Sequence, residues 1–177
     1  YAGDTAPVPE RLTAILQRRT SAAGGSEVET GVREILSQVR ARGDEAVADF
    51  TARFDGFSLT PGTVRVPQKA PEAAHQATDA ELEQALKEAA DNIERFHQRQ
   101  RTESWRIEDA DGVTLGKRVL PLNRVGVCVP GGEAPLLSTL LMTVVPAKVA
   151  GVEQICVVTP PQKNGLPHAD LLATAAM

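Results

Sequence analysis

The sequence predicts an α/β protein in which an N-terminal helical segment is followed by an incomplete parallel-sheet unit. In the N-terminal part, apolar residues recur at the spacing of amphipathic helices, first at 28–39 and later at 82–96. After residue 120, short apolar runs at 125–129 and 155–159 alternate with helical patterns. Strand, helix, strand and helix joined by short loops are typical of a parallel, Rossmann-like layout.

We divide the chain into a helix-rich segment, residues 1–119, and the truncated start of a Rossmann-like nucleotide-binding domain, residues 120–177. The chain starts with Tyr1, and its last nine residues resemble a helix without a stop signal. Both ends lead us to expect a fragment of a longer protein.

Local signals place the N-terminal helices. We expect a helix over 9–19, a flexible break over 21–26, and a second helix that ends at Gly43. The next helix should stop near residues 55–56, and 58–71 should be irregular except for a β-like piece at 64–66. Thr78 and Glu81 fit a capping box at the start of a long helix whose apolar stripe should pack in the core.

Residues 113–120 alternate like a hairpin or an edge strand. The run 125–129 is apolar throughout, as expected for a strand covered on both faces. Two strands are nevertheless too few to bury both faces of a parallel sheet, which predicts exposed apolar surface and self-association. Pro146 predicts a kink or an early end in the helix over 136–149.

Composition and charge narrow the classes of partner. The net charge of −4, from 19 basic and 23 acidic residues, supplies no electrostatic reason to expect nucleic acid as a partner. No apolar run approaches the roughly 20 residues of a membrane span, so no membrane partner is expected. Cys128 and Cys156 lie in apolar runs, which predicts buried free thiols in a reducing compartment, the cytoplasm.

The Pro130-Gly131-Gly132 turn between a strand and a helix is the most informative local motif. Glycines let backbone N–H groups approach a ligand closely, and a helix N-terminus favours an anion. The G-x-G-x-x-G fingerprint of dinucleotide sites is absent, and Glu133 would repel a phosphate. A bare strand–turn–helix connection therefore remains an alternative to a nucleotide site.

The residues offer no catalytic or metal-binding set. The three histidines, His75, His97 and His168, lack the spacing of a metal pair. His75 should lie in a polar loop and His168 at a helix start, both facing solvent. Cys128 would need a cation or a helix N-terminus nearby to become a nucleophile, and a buried strand cysteine is the simpler interpretation.

Several segments keep their order and spacing over roughly residues 30–177. The most specific is Arg-Val-Gly-Val-Cys-Val-Pro-Gly-Gly at 124–132, followed by Ala-Pro, Ser-Thr and Met142. The others lie at 39–46, 53–56, 92–100 and 146–161. Together they resemble the N-terminal half of the histidinol dehydrogenase family.

This resemblance implies an NAD-dependent, zinc-containing homodimeric enzyme that oxidises a small-molecule substrate, L-histidinol, to L-histidine through an aldehyde. It implies that Cys128 lies near the bound NAD, and the glycine turn beside it makes Pro130, Gly131 and Gly132 further cofactor-binding candidates. It also implies zinc ligands and a catalytic base beyond Met177, so we assign no catalytic or metal residue and expect this chain alone to be inactive.

One residue departs from the family pattern. The family often has a tyrosine at the position of Cys128, and loss of that ring removes a stacking surface and a hydroxyl. Two alternatives therefore stay open: a relative that oxidises another polar alcohol, such as a sulfonated diol, and a truncated module without catalysis.

Overall fold

The computed structural model describes residues 22–131 and 135–177, and the expected helix over 9–19 lies outside them. The chain divides into two compact units, Tyr1–Phe50 and Thr51–Met177. The predicted domain boundary between residues 119 and 120 is drawn where the sequence pattern changes, not from compactness, and it stays a prediction. Helices come first along the described chain, and a strand–helix–strand–helix unit comes last, so the α/β class is confirmed.

Two helices open the described chain, α1 at Ala22–Arg42 and α2 at Asp44–Phe54. Gly43 ends α1 with φ +57°, and its N–H donates to the carbonyl of Val39 at 2.9 Å. The predicted helix ends at Gly43 and near 55–56 are therefore confirmed. Residue 21 lies outside the described residues, and the predicted break is wrong over 22–26 because the chain is helical from Ala22.

A short helix, α3 at Lys69–Gln76, interrupts the segment that the sequence analysis treats as irregular. It begins despite Pro71 because a proline in the first helical turn removes an N–H that has no partner within the helix. The β-like piece expected at 64–66 is wrong. The carbonyl of Thr60 accepts hydrogen bonds from the N–H groups of Thr63 and Val64, at 3.0 and 2.9 Å, and closes a turn there.

Helix α4 spans Ala80–Gln98, and its N-cap is Asp79 rather than the predicted Thr78. The Asp79 carboxylate accepts from the N–H groups of Glu81 and Leu82, at 2.9 and 3.3 Å. The Thr78 hydroxyl instead donates to the carbonyl of Ala74 at the end of α3, at 2.9 Å. Only part of the predicted apolar stripe is core: Leu86 is buried, whereas Phe96 is exposed.

A side-chain cluster joins α3 to α4. Glu83 Oε1 lies 3.3 Å from His75 Nε2 and accepts a hydrogen bond from Lys87 Nζ. These contacts hold the pKa of the Glu83 carboxyl below its ordinary value of 4.5, and the contact with Lys87 has a larger effect than the contact with His75. His75 is thus a half-buried helical residue, and its predicted place in a solvent-facing polar loop is wrong.

Strands β1 at Trp105–Glu108 and β2 at Thr114–Lys117 form an antiparallel hairpin, which confirms the hairpin pattern. Trp105 pairs with Lys117, and Glu108 pairs with Thr114. Every residue of both strands is exposed. The exposed residues include three large apolar side chains, Trp105, Ile107 and Leu115.

The C-terminal part is a parallel β–α–β unit followed by a helix. Its elements are β3 at Arg124–Cys128, α5 at Leu137–Val149, β4 at Gln154–Val158 and α6 at Ala169–Ala176. Strands β3 and β4 are parallel neighbours, as predicted. Helix α5 continues through Pro146 to Val149, so the expected early end is wrong.

The two faces of the β3–β4 sheet differ. Its inner face packs on α5 and α6 through a buried cluster, Val127, Val129, Leu140 and Leu171. Its outer face is exposed at residues 126, 128, 156 and 158. The expectations of a strand covered on both faces and of buried thiols are wrong, because both helices pack against the inner face.

We predict that Glu83→Gln lowers the melting temperature at neutral pH. Because the pKa of Glu83 is lower in the folded chain, ionised Glu83 stabilises the fold above pH 4.5, and that stabilisation is lost as the pH falls through the lowered pKa. Thermal unfolding from pH 3 to pH 7 should show the two proteins converging at the acid end. Glu88→Gln, an exposed residue of the same helix, is the control. A difference in melting temperature that stays constant from pH 3 to pH 7 would contradict the stabilising role of ionised Glu83.

Candidate functional site

A cavity of about 390 Å³ lies where β3 and β4 end at their carboxyl termini. Open α/β sheets bind ligands at this edge. The turn after β3, the turn after β4 and the starts of α5 and α6 form its walls. The lining residues are Asp55, Pro130, Gly131, Pro135, Leu136, Thr159, Pro160, Pro161, Gln162, Lys163, His168 and Leu171.

Backbone pairing fixes the two turns against each other. The N–H of Val129 donates to the carbonyl of Val158 at 2.9 Å, which carries the ladder one residue past β3. Val129 is fully buried and holds the start of the Pro130-Gly131 turn in the core.

Gly131 packs directly on the turn after β4. A Cβ atom built at this position would lie 3.0 Å from the Cβ and Cγ atoms of Pro160 and 3.1 Å from its Cδ. The Pro160 ring has little freedom to retreat because Pro161 follows it and each proline fixes its own φ. Gly131 is therefore required by close approach, and its bare backbone faces the cavity.

Two helix N-termini open at this cavity. The N-cap residues are Leu136 for α5 and His168 for α6, and both line the wall. Leu136 has no side-chain acceptor, whereas His168 Nδ1 accepts from the N–H of Asp170 at 3.3 Å. Two partial positive charges at one cavity favour an anionic ligand group such as a phosphate.

The cavity also holds formal charges of both signs, Asp55 and Lys163. The segment that carries Asp55 is anchored by Phe57, whose ring lies against Gly165; an added Cβ at Gly165 would be 2.6 Å from the Phe57 Cζ. Gly165 has φ +81°, and its N–H donates to the carbonyl of Gln162 at 2.8 Å. This turn fixes the backbone around Lys163.

The structure separates the four predicted cofactor-binding residues. Pro130 and Gly131 line the cavity, and Gly132 lies outside the described residues. Cys128 is exposed on the outer face of the sheet and is not among the lining residues. Their contact with a cofactor remains a prediction.

Sequence reasoning missed the three ionisable residues of the cavity wall, Asp55, Lys163 and His168. Asp55 belongs to a motif quoted for the family resemblance, which was the one signal available for it. His168 was expected to face solvent, but it is half-buried. Lys163 carries no signal in its local sequence.

A larger groove of about 970 Å³ has a different character. Its floor consists of apolar side chains of α5 and β4, and the charged residues at its rim come mainly from α4. It does not include the carboxyl ends of the strands or the turns that follow them. We therefore place the candidate site in the smaller cavity.

Among residues 22–131 and 135–177, no group of three or more His, Cys, Asp or Glu side chains is arranged to hold a metal ion. Over the same part of the chain, no helix combines the length and apolarity needed to cross a membrane.

Comparison with known proteins gives a consistent result. The family profile of histidinol dehydrogenase matches residues 17–177. A histidinol dehydrogenase of Geobacillus kaustophilus is 44% identical over 158 residues, which cover 89% of this chain and 37% of the relative. One of Parasynechococcus marenigrum is 48% identical over 160 residues, which cover 90% of this chain and 36% of the relative.

Among solved structures, histidinol dehydrogenase from Elizabethkingia anophelis superposes with a TM-score of 0.75 at 35% identity. The match covers 84% of this chain and 34% of that one. The chain spans little more than a third of the length of the relatives it matches.

We predict opposite effects for two glycine-to-alanine substitutions. Gly131→Ala should lower the free energy of unfolding by about 1–3 kcal/mol, since its Cβ overlaps Pro160. Gly126→Ala is the matched control. A Cβ there meets nothing within 4 Å, so this substitution should raise the free energy by about 0.4–1 kcal/mol through the unfolded state. Urea unfolding measures both. Equal effects at the two positions would contradict the close approach at Gly131.

Proposed function

The chain belongs to the histidinol dehydrogenase family, and from this premise we propose that the whole protein oxidises L-histidinol to L-histidine through the aldehyde, with NAD as oxidant. The reaction is the last step of histidine biosynthesis. Two hydride transfers are required: the alcohol carbon loses the first to give the aldehyde, and the hydrated aldehyde loses the second to give the carboxylate. The observation that carries the proposal is the family match over residues 17–177, together with a fitting cavity.

The shape of the cavity supports NAD. Gly131 lines the cavity with bare backbone, which lets a ligand come close. The N-termini of α5 and α6 supply partial positive charge for the pyrophosphate, and Lys163 adds a formal positive charge. Pro130, Gly131 and Lys163 would hold the cofactor, which accepts the hydride when bound.

The Asp55 carboxylate restricts the orientation in which NAD can bind in the cavity. A carboxylate repels phosphate but accepts hydrogen bonds from ribose hydroxyls. The pyrophosphate should therefore lie toward Lys163 and the helix N-termini, and a ribose toward Asp55.

Zinc, a homodimeric assembly and a cytoplasmic location belong to the same proposal. We place the metal ligands and the catalytic base in parts of the protein outside this chain, as the family resemblance implies. The exposed apolar side chains of β1 and β2 offer surface for a second subunit.

A second candidate follows from Cys128. The family often has a ring at this position and Cys128 lacks it, so a relative with altered cofactor or substrate contacts is an alternative. A relative that oxidises another polar alcohol would keep the same fold and cavity. A module without catalysis is the third candidate.

The direct experiment measures NADH formation by the whole protein with L-histidinol. We expect turnover that stops on removal of zinc by a chelator and returns when zinc is restored. A panel of other polar alcohols, including a sulfonated diol, is the comparison. Turnover of another alcohol but not of histidinol would favour the second candidate. The 177-residue chain assayed alone should form no NADH; turnover by it would contradict the proposed location of the catalytic groups.

Cys128→Tyr tests the position of the cofactor. A restored ring should add on the order of 1 kcal/mol of stacking and lower the Kd for NAD by about fivefold. Cys128→Phe supplies the ring without the hydroxyl, and Cys128→Ala supplies neither. Calorimetric titration of the whole protein with NAD measures all three. An unchanged Kd in the tyrosine and phenylalanine variants would show that the cofactor does not reach the outer face of β3.

A further inference from the structure

The outer face of the β3–β4 sheet carries both cysteines of the chain. The register pairs Cys128 with Val158 and Gly126 with Cys156. Paired residues of parallel strands point to the same side, and positions two apart on one strand share that side. Cys128 and Cys156 are therefore diagonal neighbours on one face, and both are free and exposed.

Gly126 leaves room between the two thiols. It lies directly across from Cys156 and two residues before Cys128 on the same face. A Cβ at this position would meet no heavy atom within 4 Å. Each thiol can therefore turn toward the other over the glycine without displacing a side chain.

The spacing disfavours a disulfide and suits a bridging ion. Strands about 4.8 Å apart and an offset of about 6.6 Å along the strand place the two Cα atoms about 8 Å apart. A disulfide requires at most about 6.8 Å between Cα atoms. An ion bound by two thiolates at about 2.3 Å each lets the sulfur atoms stay as much as about 4.6 Å apart.

We propose that Cys128 and Cys156 form a two-thiolate site for a soft divalent cation on the outer face of the sheet. Thiolates are the ligands that soft ions prefer. Each ion that binds forms two metal–sulfur bonds and releases two thiol protons to solvent, and water completes the coordination. The site depends on the register and the open glycine position, and it shares Cys128 with the proposed cofactor contacts.

The test uses Cd²⁺ as the probe, added to the reduced, metal-free 177-residue chain. The ultraviolet band of cadmium–thiolate bonds reports binding, and far-ultraviolet circular dichroism checks the fold of each variant. We expect one Cd²⁺ per chain. Cys128→Ser and Cys156→Ser should each weaken binding on the order of 100-fold, since the second thiolate binds at high effective concentration. Val158→Ala, a change on the same face without a thiol, is the control.

Two further measurements do not depend on the cysteine variants. One equivalent of Cd²⁺ should protect both thiols from an aromatic disulfide reagent, and Gly126→Val should weaken binding by filling the gap between them. Independent binding of two ions, or protection of one thiol only, would overturn the proposal. Half an ion per chain together with a cadmium-dependent dimer would also overturn it, because the bridge would then join two copies.

Discussion

Parallel pairing of β3 and β4 is the interaction on which the C-terminal unit depends. Five residue pairs, from Arg124–Gln154 to Cys128–Val158, hold the two strands in register. The Arg124 side chain adds a hydrogen bond from its Nε to Gln154 Oε1 at 2.7 Å, at the amino ends of the strands. Because the strands run in the same direction, both carboxyl ends meet at one edge, and the two turns that follow them form one cavity. A slip of one residue would expose the inner valines and separate these turns.

The same pairing explains why the two faces of the sheet differ. Helices α5 and α6 both cover the inner face, and α6 is buried at four consecutive positions from Leu171 to Thr174 because α3 packs on it as well. Hydrophobic burial therefore acts on one side of the sheet. The outer side keeps a glycine, two thiols and a valine in contact with solvent. The β–α–β unit thus has one face that is packed against helices and one face that is open to solvent.

Sequence reasoning succeeded where a local pattern decides the structure. Gly43 ends a helix because its backbone adopts a left-handed conformation. The short apolar runs at β3 and β4 have the pattern of buried strands, and they form a parallel pair. It failed where two local choices compete, as at Thr78 and Asp79, since either side chain can cap a helix. Burial of the cysteines was misjudged because an apolar run does not tell which face of a strand is covered. Lys163 and His168 reach the cavity only through the tertiary arrangement of the loop before α6.

The exposed hairpin has a practical consequence. Trp105 is the only tryptophan of the chain, and it is 54% exposed on β1, remote in sequence from the buried cluster of β3, α5 and α6. Its fluorescence emission is therefore a reporter of the hairpin surface rather than of the core. A protein or a second subunit that covers this surface would transfer the indole from water to an apolar contact and shift its emission to shorter wavelength. Assembly at the hairpin and unfolding of the sheet thus have separate optical signals in the same molecule.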